Sequence, residues 1–398
     1  MKYIDEFRDG DLARKLAADI AREARPDRSY GLMEFCGGHT HAVYRYGVQN
    51  LLPPNVNLIH GPGCPVCVLP IGRLDYAIQL TRIPGVILCT YGDMLRVPGS
   101  GGMSLLKAKA GGADIRMIYS SADALKIAQD HPDREVVFFA IGFETTTPPT
   151  AVAILQAEAL GLKNFSVISN HVLTPAAISA IMSSGEAYDL SRPSTRPNQP
   201  STRGRRKPES PSEASGARVD GVIGPAHVST VIGSRPYEPF AAQYHLPVVI
   251  AGFEPLDVMQ AILMLLRQLN TGRAVVENEF TRAVSREGNL KAQRLVDEVF
   301  ELRDAFEWRG LGVVPHSGLA IRPRFAAFDA EKRFRLTYHP VADNPACECS
   351  AIIRGVKKPL DCKLFGSVCT PENPIGSCMV SSEGACAAYY SYGRYREA

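Results

Sequence analysis

The segment GPGCPVC (residues 61–67) places two cysteines three positions apart, after an apolar run and before a helical pattern. A C-x-x-C pair at the start of a helix has a lowered thiol pKa and can form a reversible disulfide. The same spacing also serves as half of a zinc site, but the second half would have to come, awkwardly, from Cys36 and Cys89. We therefore favour a reactive dithiol at Cys64 and Cys67 over a metal site or a structural pair.

A second candidate site is MEFCGGHTH (residues 33–41), in which an apolar run leads to Cys36, two glycines, His39 and His41. Ligands of open parallel sheets bind beyond the carboxyl ends of the strands. Backbone N–H groups at the start of the next helix would favour a thiolate or a bound anion there. The alternative is a buried, inert cysteine with surface histidines. Because GPGCPVC occupies an equivalent position after another predicted strand, we favour a functional site.

Three further turns could bind anions. GFETTTPPT (residues 142–150) ends a strand with Glu144 and threonines whose hydroxyls could bind an anion, although capping of the next helix explains the spacing better. The glycine-rich turns HGPGCP (60–65) and PGSGG (98–102) invite comparison with phosphate-binding loops. Neither contains the G-x-x-x-x-G-K-[ST] pattern, so the sequence predicts no nucleotide-phosphate loop.

The C-terminal region concentrates cysteines. The chain has ten cysteines, an excess that in a reducing compartment points to metal or redox chemistry rather than structural disulfides. Six of them fall in a segment rich in proline and glycine: Cys347, Cys349, Cys362, Cys369, Cys378 and Cys386. Iron–sulfur clusters are held by four thiolates, whereas zinc sites prefer C-x-x-C halves, which this segment lacks. The spacing therefore disfavours zinc without naming a cluster.

Composition excludes several classes of function. The hydrophobic fraction of 45% and the charged fraction of 21% are those of a globular protein. The net charge is +3, but residues 191–218 alone carry +5, which leaves −2 for the rest and no basic face for nucleic acid. No apolar run could cross a bilayer, and the N-terminus does not resemble a signal peptide. We expect a cytoplasmic protein with neither nucleic-acid nor membrane partners.

Alternating apolar runs and helical patterns predict an α/β fold with two halves of about four parallel strands each. The predicted strands are GLMEFC, VNLIHG, GVILCT and DIRMIY in the first half, then EVVFFAIG, NFSVIS, VDGVIG and LPVVIAG in the second. Amphipathic helices are predicted over residues 9–26 and 289–307. Residues 187–218 are rich in serine, proline and arginine, so we expect a disordered insertion there.

Five motifs in fixed order resemble the HypD family of hydrogenase maturation factors. They are FCGGHTH, GPGCPVC, GFETTTP, GPAHVSTVIG and CTPENPIGSCMVSSEGACAAYY. The resemblance implies two Rossmann-like parallel-sheet domains, at residues 27–130 and 131–272. It also implies a smaller loop-rich domain, formed by residues 1–26 and 273–398, that holds a 4Fe–4S cluster.

The resemblance also implies a cluster-ligand motif, C-x14-C-x6-C-x16-C. Cys347, Cys362, Cys369 and Cys386 satisfy it, which leaves Cys349 and Cys378 as non-ligands. Members of the family pair with the small protein HypC and assemble the Fe(CN)2CO group of nickel–iron hydrogenases, with cyanide delivered by HypE.

Carried over to this sequence, the resemblance assigns roles to single residues. Cys36 would hold the iron opposite a HypC cysteine, with His39 beside it. Cys64 and Cys67 would be a redox dithiol that exchanges electrons with the cluster.

Three further residues receive roles in the same way. Glu144 with the following threonines, and His227, would line the crevice, and Glu383 would lie near the cluster. Ala226 stands where the family is expected to have glycine, and the insertion at 187–218 is longer and more basic than expected.

These expectations describe an assembly scaffold with internal redox capacity rather than a conventional turnover enzyme. One alternative is a stand-alone thiol–disulfide oxidoreductase supplied with electrons by an iron–sulfur cluster. Another is a zinc protein whose thiols are structural. Metal content and the infrared bands of iron-bound cyanide and carbonyl would separate the three.

Overall fold

The computed structural model describes residues 5–184 and 219–393 and has the expected α/β fold with two parallel sheets. The predicted insertion at 187–218 lies outside the described residues. No helix in the described part of the chain is long and apolar enough to cross a membrane.

The first sheet has five parallel strands in the order β2-β1-β7-β8-β9. Its strands are β1 (Tyr30–Glu34), β2 (Val56–His60), β7 (Gly221–Pro225), β8 (Val248–Ala251) and β9 (Val276–Asn278). The second sheet has four parallel strands in the order β4-β3-β5-β6. Its strands are β3 (Val86–Thr90), β4 (Ile115–Met117), β5 (Glu135–Gly142) and β6 (Phe165–His171).

All eight predicted strands are present, but they are distributed differently from the predicted boundaries at 27–130 and 131–272. The chain forms β1 and β2, then builds the whole second sheet, and returns to the first sheet with β7, which pairs with β1 from Leu32↔Gly221 onward. The expected division near residue 130 therefore falls inside the second sheet. Crossover connections allow strands far apart in sequence to become neighbours, which periodicity cannot reveal.

Fifteen α-helices surround the sheets in the described residues. They are α1 (Gly10–Glu23), α2 (Gly37–Tyr46), α3 (Pro65–Val68), α4 (Ile71–Leu80), α5 (Leu105–Ala110), α6 (Ser121–Asp130), α7 (Thr147–Ala159), α8 (Thr174–Ser184), α9 (Ala226–Ile232), α10 (Glu238–Tyr244), α11 (Pro255–Thr271), α12 (Leu290–Val299), α13 (Ala330–Arg333), α14 (Cys349–Ile353) and α15 (Ala385–Ala388). The predicted N-terminal helix is confirmed, since the Asp9 side chain accepts hydrogen bonds from the first N–H groups of α1.

The second predicted helix, over 289–307, is only partly correct. Helix α12 ends at Val299 because the next residues pair as strands, with Phe300 opposite Ile321. These strands form two antiparallel pairs: β10 (Phe300–Leu302) with β13 (Leu319–Ile321), and β11 (Ala305–Trp308) with β12 (Gly312–Pro315). Phe300 and Trp308 are fully buried, so tertiary packing outweighs the local helical pattern.

The cysteine-rich segment, residues 347–393, is loop-rich, as predicted, and its longest regular elements have five residues. Its cysteines nevertheless belong to the same buried cluster as Cys64, Cys67 and Phe139 of β5. The region therefore packs against the second sheet and the C-x-x-C turn, which positions it to share a site with them.

Candidate metal and thiol site

The carboxyl ends of the first sheet bring the predicted thiol motifs together. Strand β1 leads directly to Cys36, which is the N-cap residue of α2. Strand β2 leads to the turn at Gly63, whose carbonyl accepts a hydrogen bond of 3.0 Å from the Gly37 N–H. A Cβ atom on Gly63 would lie 2.5 Å from the Cys36 Cα, so only glycine allows this approach. Cys36 therefore packs against the turn that carries Cys64.

The Cys36 side chain is buried beside a histidine. Its Sγ lies 3.8 Å from Nδ1 of His227, which follows β7 in the same sheet. Its backbone N–H donates to Oε2 of Glu34 at 3.0 Å. A Cβ on Gly37 would lie 2.8 Å from the carbonyl oxygen of Glu383, so the C-terminal region forms another wall.

The electrostatics at Cys36 differ from the expectation that helix N–H groups favour a thiolate. Burial raises the pKa of the Cys36 thiol well above its usual value, and the charges of Glu383 and Glu34 raise it further. The hydrogen bond from the Gly38 N–H lowers the pKa but is outweighed. Carboxylates beside a buried thiol suit a cation better than an anion, because a cation offsets the negative charge of the thiolate.

His39 and His227 are neutral imidazoles at this site. Burial lowers the pKa of both side chains, and each packs against Phe253, with ring centroids 5.0 and 4.0 Å away. Nε2 of His39 lies 2.9 Å from the Ala251 carbonyl oxygen and must donate its hydrogen there. Nδ1 of His39 has no hydrogen-bond partner in the described residues, which leaves a buried lone pair.

A buried hydrogen-bond network behind Cys36 escaped sequence analysis. Oε1 of Glu34 lies 3.0 Å from Nδ1 of His60 and also accepts from the Thr40 hydroxyl. The Tyr44 hydroxyl lies 2.6 Å from Nε2 of His60. An acidic residue inside the buried strand preceding Cys36 was the available signal, because such a carboxylate needs partners.

Cys64 and Cys67 are joined by a disulfide bond, as a reactive C-x-x-C pair can be. Cys64 caps the short helix α3, and Sγ of Cys67 lies 4.0 Å from the carbonyl oxygen of Ser377. The Ser377 hydroxyl donates to the Cys67 carbonyl at 3.0 Å and lies 3.5 Å from Sγ of Cys349. Ser377 thus links the disulfide to the C-terminal cysteines.

The six C-terminal cysteines line one small cavity, of about 10 Å³: Cys347, Cys349, Cys362, Cys369, Cys378 and Cys386. The other residues around it are Ile352, Phe365, Gly376 and Met379. Sγ of Cys349 lies 2.7 Å from Sγ of Cys378, a close pair that their sequence spacing did not indicate. The lining is therefore sulfur and apolar groups, with no carboxylate or imidazole.

This donor set fits an iron–sulfur cluster. Within residues 5–184 and 219–393, no three His, Cys, Asp or Glu side chains are arranged to surround a single metal ion. A cubic cluster needs a different arrangement, because its thiolates bind separate iron atoms around the cube. An all-thiol, apolar cavity with at least four cysteines supplies that chemistry.

Glu144 follows the end of β5 in the second sheet and faces a different cavity, of about 580 Å³. Its carboxylate accepts from the Thr174 N–H at 2.8 Å and from the Thr174 hydroxyl at 3.0 Å. Burial raises the pKa of Glu144 to about 7. No hydrogen bond between described residues joins Glu144 to Cys36. Burial raises the pKa of Tyr237, and the charges of Glu144 and Cys36 raise it further.

The threonines after Glu144 make local hydrogen bonds. The Thr147 hydroxyl donates to the Phe143 carbonyl at 3.0 Å, and the Thr150 hydroxyl donates to the Thr146 carbonyl at 3.1 Å. These bonds satisfy the threonines within the turn and helix. The capping expected for GFETTTP is therefore wrong: Thr146, the N-cap residue of α7, makes no side-chain hydrogen bond to the helix N–H groups, and the hydroxyls donate to preceding carbonyls instead.

Comparisons with known proteins agree with this arrangement of motifs. A family model described as "HypD: Hydrogenase formation hypA family" matches residues 11–195 and 205–393. The chain belongs to the HypD family. It is 65% identical over 397 residues to the hydrogenase maturation factor HypD of Cupriavidus necator, covering all of this chain and 98% of that protein.

Two further relatives show that the match to the HypD family extends along the whole chain. The hydrogenase maturation factor HypD of Azotobacter vinelandii is 65% identical over 398 residues, covering all of this chain and 98% of the relative. The protein of the same name in Escherichia coli is 42% identical over 397 residues, covering 98% of each chain. The family assignment therefore covers both sheets and the cysteine-rich region.

Proposed function

We propose that this chain is a hydrogenase maturation factor that, with HypC, holds iron while the Fe(CN)2CO group of nickel–iron hydrogenases is assembled. The observation that carries the proposal is the convergence of Cys36, the Cys64–Cys67 disulfide and the cysteine-lined cavity around the turns at Gly63 and Ser377. Full-length identity to proteins named hydrogenase maturation factor supports the task. We propose that this assembly takes place in the cytoplasm, with HypE as a transient cyanide donor.

Cys36 is the residue that would bind the iron substrate. Its thiol must lose a proton as the sulfur–iron bond forms, and Nδ1 of the neutral His227, 3.8 Å away, is positioned to accept it. Low-spin ferrous iron carrying cyanide and carbonyl accepts soft thiolate ligands well. The positive charge of the iron would offset the burial that otherwise keeps the thiol protonated.

Cys64 and Cys67 would store two electrons next to Cys36. Reduction of their disulfide takes up two electrons and two protons and breaks the sulfur–sulfur bond to give two thiols. Cys347, Cys362, Cys369 and Cys386 would hold a 4Fe–4S cluster, which when bound supplies electrons one at a time. Ser377 keeps the disulfide turn attached to the cysteine cavity through its hydrogen bond to Cys67.

A complementation experiment tests the proposal. A strain that lacks its own HypD relative receives this chain, and nickel–iron hydrogenase activity is measured for the native chain, Cys36→Ala and Cys89→Ala. Cys89 is the matched control, because it is another fully buried cysteine but lies inside β3, away from the site. We expect no active hydrogenase with Cys36→Ala and near-native activity with Cys89→Ala.

The same strains distinguish the alternatives. Normal maturation by Cys36→Ala, together with loss in Cys64→Ser, would contradict the scaffold role and favour a stand-alone thiol–disulfide oxidoreductase. Anaerobically purified protein should be brown and contain about four iron atoms in the cluster. Colourless protein containing zinc would exclude both functions and leave a structural role for the thiols.

A further inference from the structure

A second cleft, of about 570 Å³, opens to solvent beside the cysteine cavity. It is bounded by the glycine-rich turn 98–102 and by parts of the C-terminal region, including Asp343 and Asn373. Cys347 and Cys349 contribute to the walls of both the cleft and the cysteine cavity. The cleft is therefore separate from the proposed iron site at Cys36 and is assigned no role by that proposal.

Arg309 is the buried charge in this cleft. Its side chain is 3% exposed, and its backbone N–H donates to the Val68 carbonyl at 2.7 Å. Nε lies 3.3 Å from Oδ1 of Asp343, but neither Nε nor Nη2 has a hydrogen-bond partner in the described residues. A buried guanidinium has five N–H donors, so unfilled donors beside a cleft call for an acceptor from a ligand.

Arg73 shows how the same fold satisfies a buried arginine that needs no ligand. Its guanidinium donates to Asn170 at 2.6 Å, to the Ser169 carbonyl at 3.0 Å and to Glu331 at 2.6 Å. Arg309 is buried to the same degree, yet within the described part of the chain its guanidinium makes only the ion contact with Asp343. The contrast indicates that, in the protein without a ligand, the N–H donors of Arg309 lack hydrogen-bond acceptors.

The charges around the cleft favour an anion. Lys107 stands exposed on the wall and donates to the Gly102 carbonyl at 2.6 Å. Among the described residues that line the cleft, Asp343 is the sole carboxylate, and its second oxygen already accepts from Ser350 at 2.8 Å. The lining therefore carries two cations against one partly engaged anion.

We propose that this cleft binds a small oxyanion-bearing ligand, a phosphate or a carboxylate, with Arg309 as the buried anchor. The planar guanidinium matches two oxygens of either group, which an ammonium cannot do. Lys107 adds attraction at the wall. The turn PGSGG lacks the sequence pattern of a phosphate loop, so recognition rests on the arginine and not on backbone N–H groups.

Isothermal titration calorimetry on the full-length protein tests the proposal, with inorganic phosphate and acetate as separate ligands. We expect binding of at least one of them, weakened about tenfold or more by Arg309→Gln and about two- to fivefold by Lys107→Gln. Arg235→Gln is the control, because Arg235 is an exposed arginine that lines another cleft, and it should leave binding unchanged. Binding of phosphate alone would identify a phosphate ligand, and binding of acetate alone would identify a carboxylate ligand. Binding of both would identify a site that accepts either group.

Two results would overturn the proposal: no binding of either anion to the native chain, or equal affinity in Arg309→Gln. If Arg309→Gln does not fold, as thermal melting would reveal, Arg309→Lys decides instead. That variant keeps the charge but loses the two-pronged geometry, so weaker binding supports the proposal and unchanged binding contradicts it. Failure to bind an anion in this cleft would leave the proposed role of Cys36 intact.

Discussion

Two regions of the molecule bury polar side chains, and they treat them in opposite ways. The strand-end groups are Cys36, His39, Glu144 and the more exposed His227. The arginine junction is formed by the buried Arg73 and Asn170 with the partly buried Arg303 and Glu331. In the strand-end groups, burial shifts every pKa toward the uncharged form. In the junction, burial also opposes the charge of Glu331, but the charges of Arg73 and Arg303 outweigh it and lower the pKa to about 2.

The difference distinguishes polar side chains that stabilise the fold from polar side chains that can bind a ligand. The junction connects α4, β6 and the C-terminal region with charges that satisfy one another, so its members are held in place by the fold. The strand-end groups have hydrogen bonds but form no ion pair with another described residue, so they can accept a cation or a proton when a ligand arrives. Polar side chains that are buried or partly buried and form no ion pair are thus characteristic of the proposed site.

Removing charge from the junction should have the largest effect on stability. Glu331→Gln leaves Arg73 buried without its carboxylate, and we expect the free energy of unfolding at pH 7 to fall by about 3 to 5 kcal/mol. Urea denaturation measures this change. The control Lys126→Gln breaks an exposed ion pair and should cost at most about 0.5 kcal/mol.

The pH dependence of Glu331 follows from its lowered pKa. Its stabilising contribution is complete above the usual carboxyl value of 4.5 and is lost as the pH falls toward about 2. The difference in free energy of unfolding between the native chain and Glu331→Gln should therefore become smaller as the pH is lowered. A gap that stays constant from pH 7 to pH 3 would contradict the assigned electrostatic role.

Neutralising Glu144 should have a smaller effect of the opposite sign. Because burial raises its pKa to about 7, its contribution to stability is present below 4.5 and is lost as the pH rises through 7. Glu144→Gln should therefore stabilise the protein at pH 8, on the order of 1 to 3 kcal/mol, and leave it nearly unchanged at pH 5. If the free energies of unfolding of the native chain and Glu144→Gln instead differ by a constant amount from pH 5 to pH 8, the charge of the Glu144 carboxylate is already stabilised in the folded protein, and the prediction is wrong.

Removing the Cys36 thiol should have the smallest effect on stability. The thiol has neither a charged partner nor a strong hydrogen bond, so Cys36→Ala should change the free energy of unfolding by about 1 kcal/mol or less. Thermal and urea unfolding provide the measurement. A loss comparable to that of Glu331→Gln would mean that Cys36 is a structural residue and would remove the contrast between the two regions.

Sequence patterns revealed the local parts of this structure. Eight strands and the position of Cys36 after β1 followed from apolar runs, and parallel pairing then brings the strand ends to one edge. The six cysteines that line the cavity were recognised from their clustering in the sequence, whereas the choice of four of them as cluster ligands came from the family resemblance and stays a prediction. The assignment of strands to sheets did not follow, because β7 returns to β1 across the whole second sheet. Strand β9 is only three residues long, too short for a pattern.

Contacts between residues remote in sequence were equally hidden. Arg73 and Glu331 are separated by 258 positions, and Glu34 meets His60 through strand pairing rather than through any motif. Cys349 and Cys378 come together because irregular chain folds around an apolar cavity. No periodicity marks such contacts, since each depends on how loops pack once the sheets have formed.

The infrared spectrum of the anaerobically isolated complex with HypC tests the central claim most directly. The native chain should show absorption bands of iron-bound cyanide and carbonyl, and Cys89→Ala should keep them. Cys36→Ala, folded to the same stability, should lose them, because the thiolate proposed to hold the iron is gone. Bands of native strength in Cys36→Ala would show that the buried thiol does not hold the iron and would contradict the account.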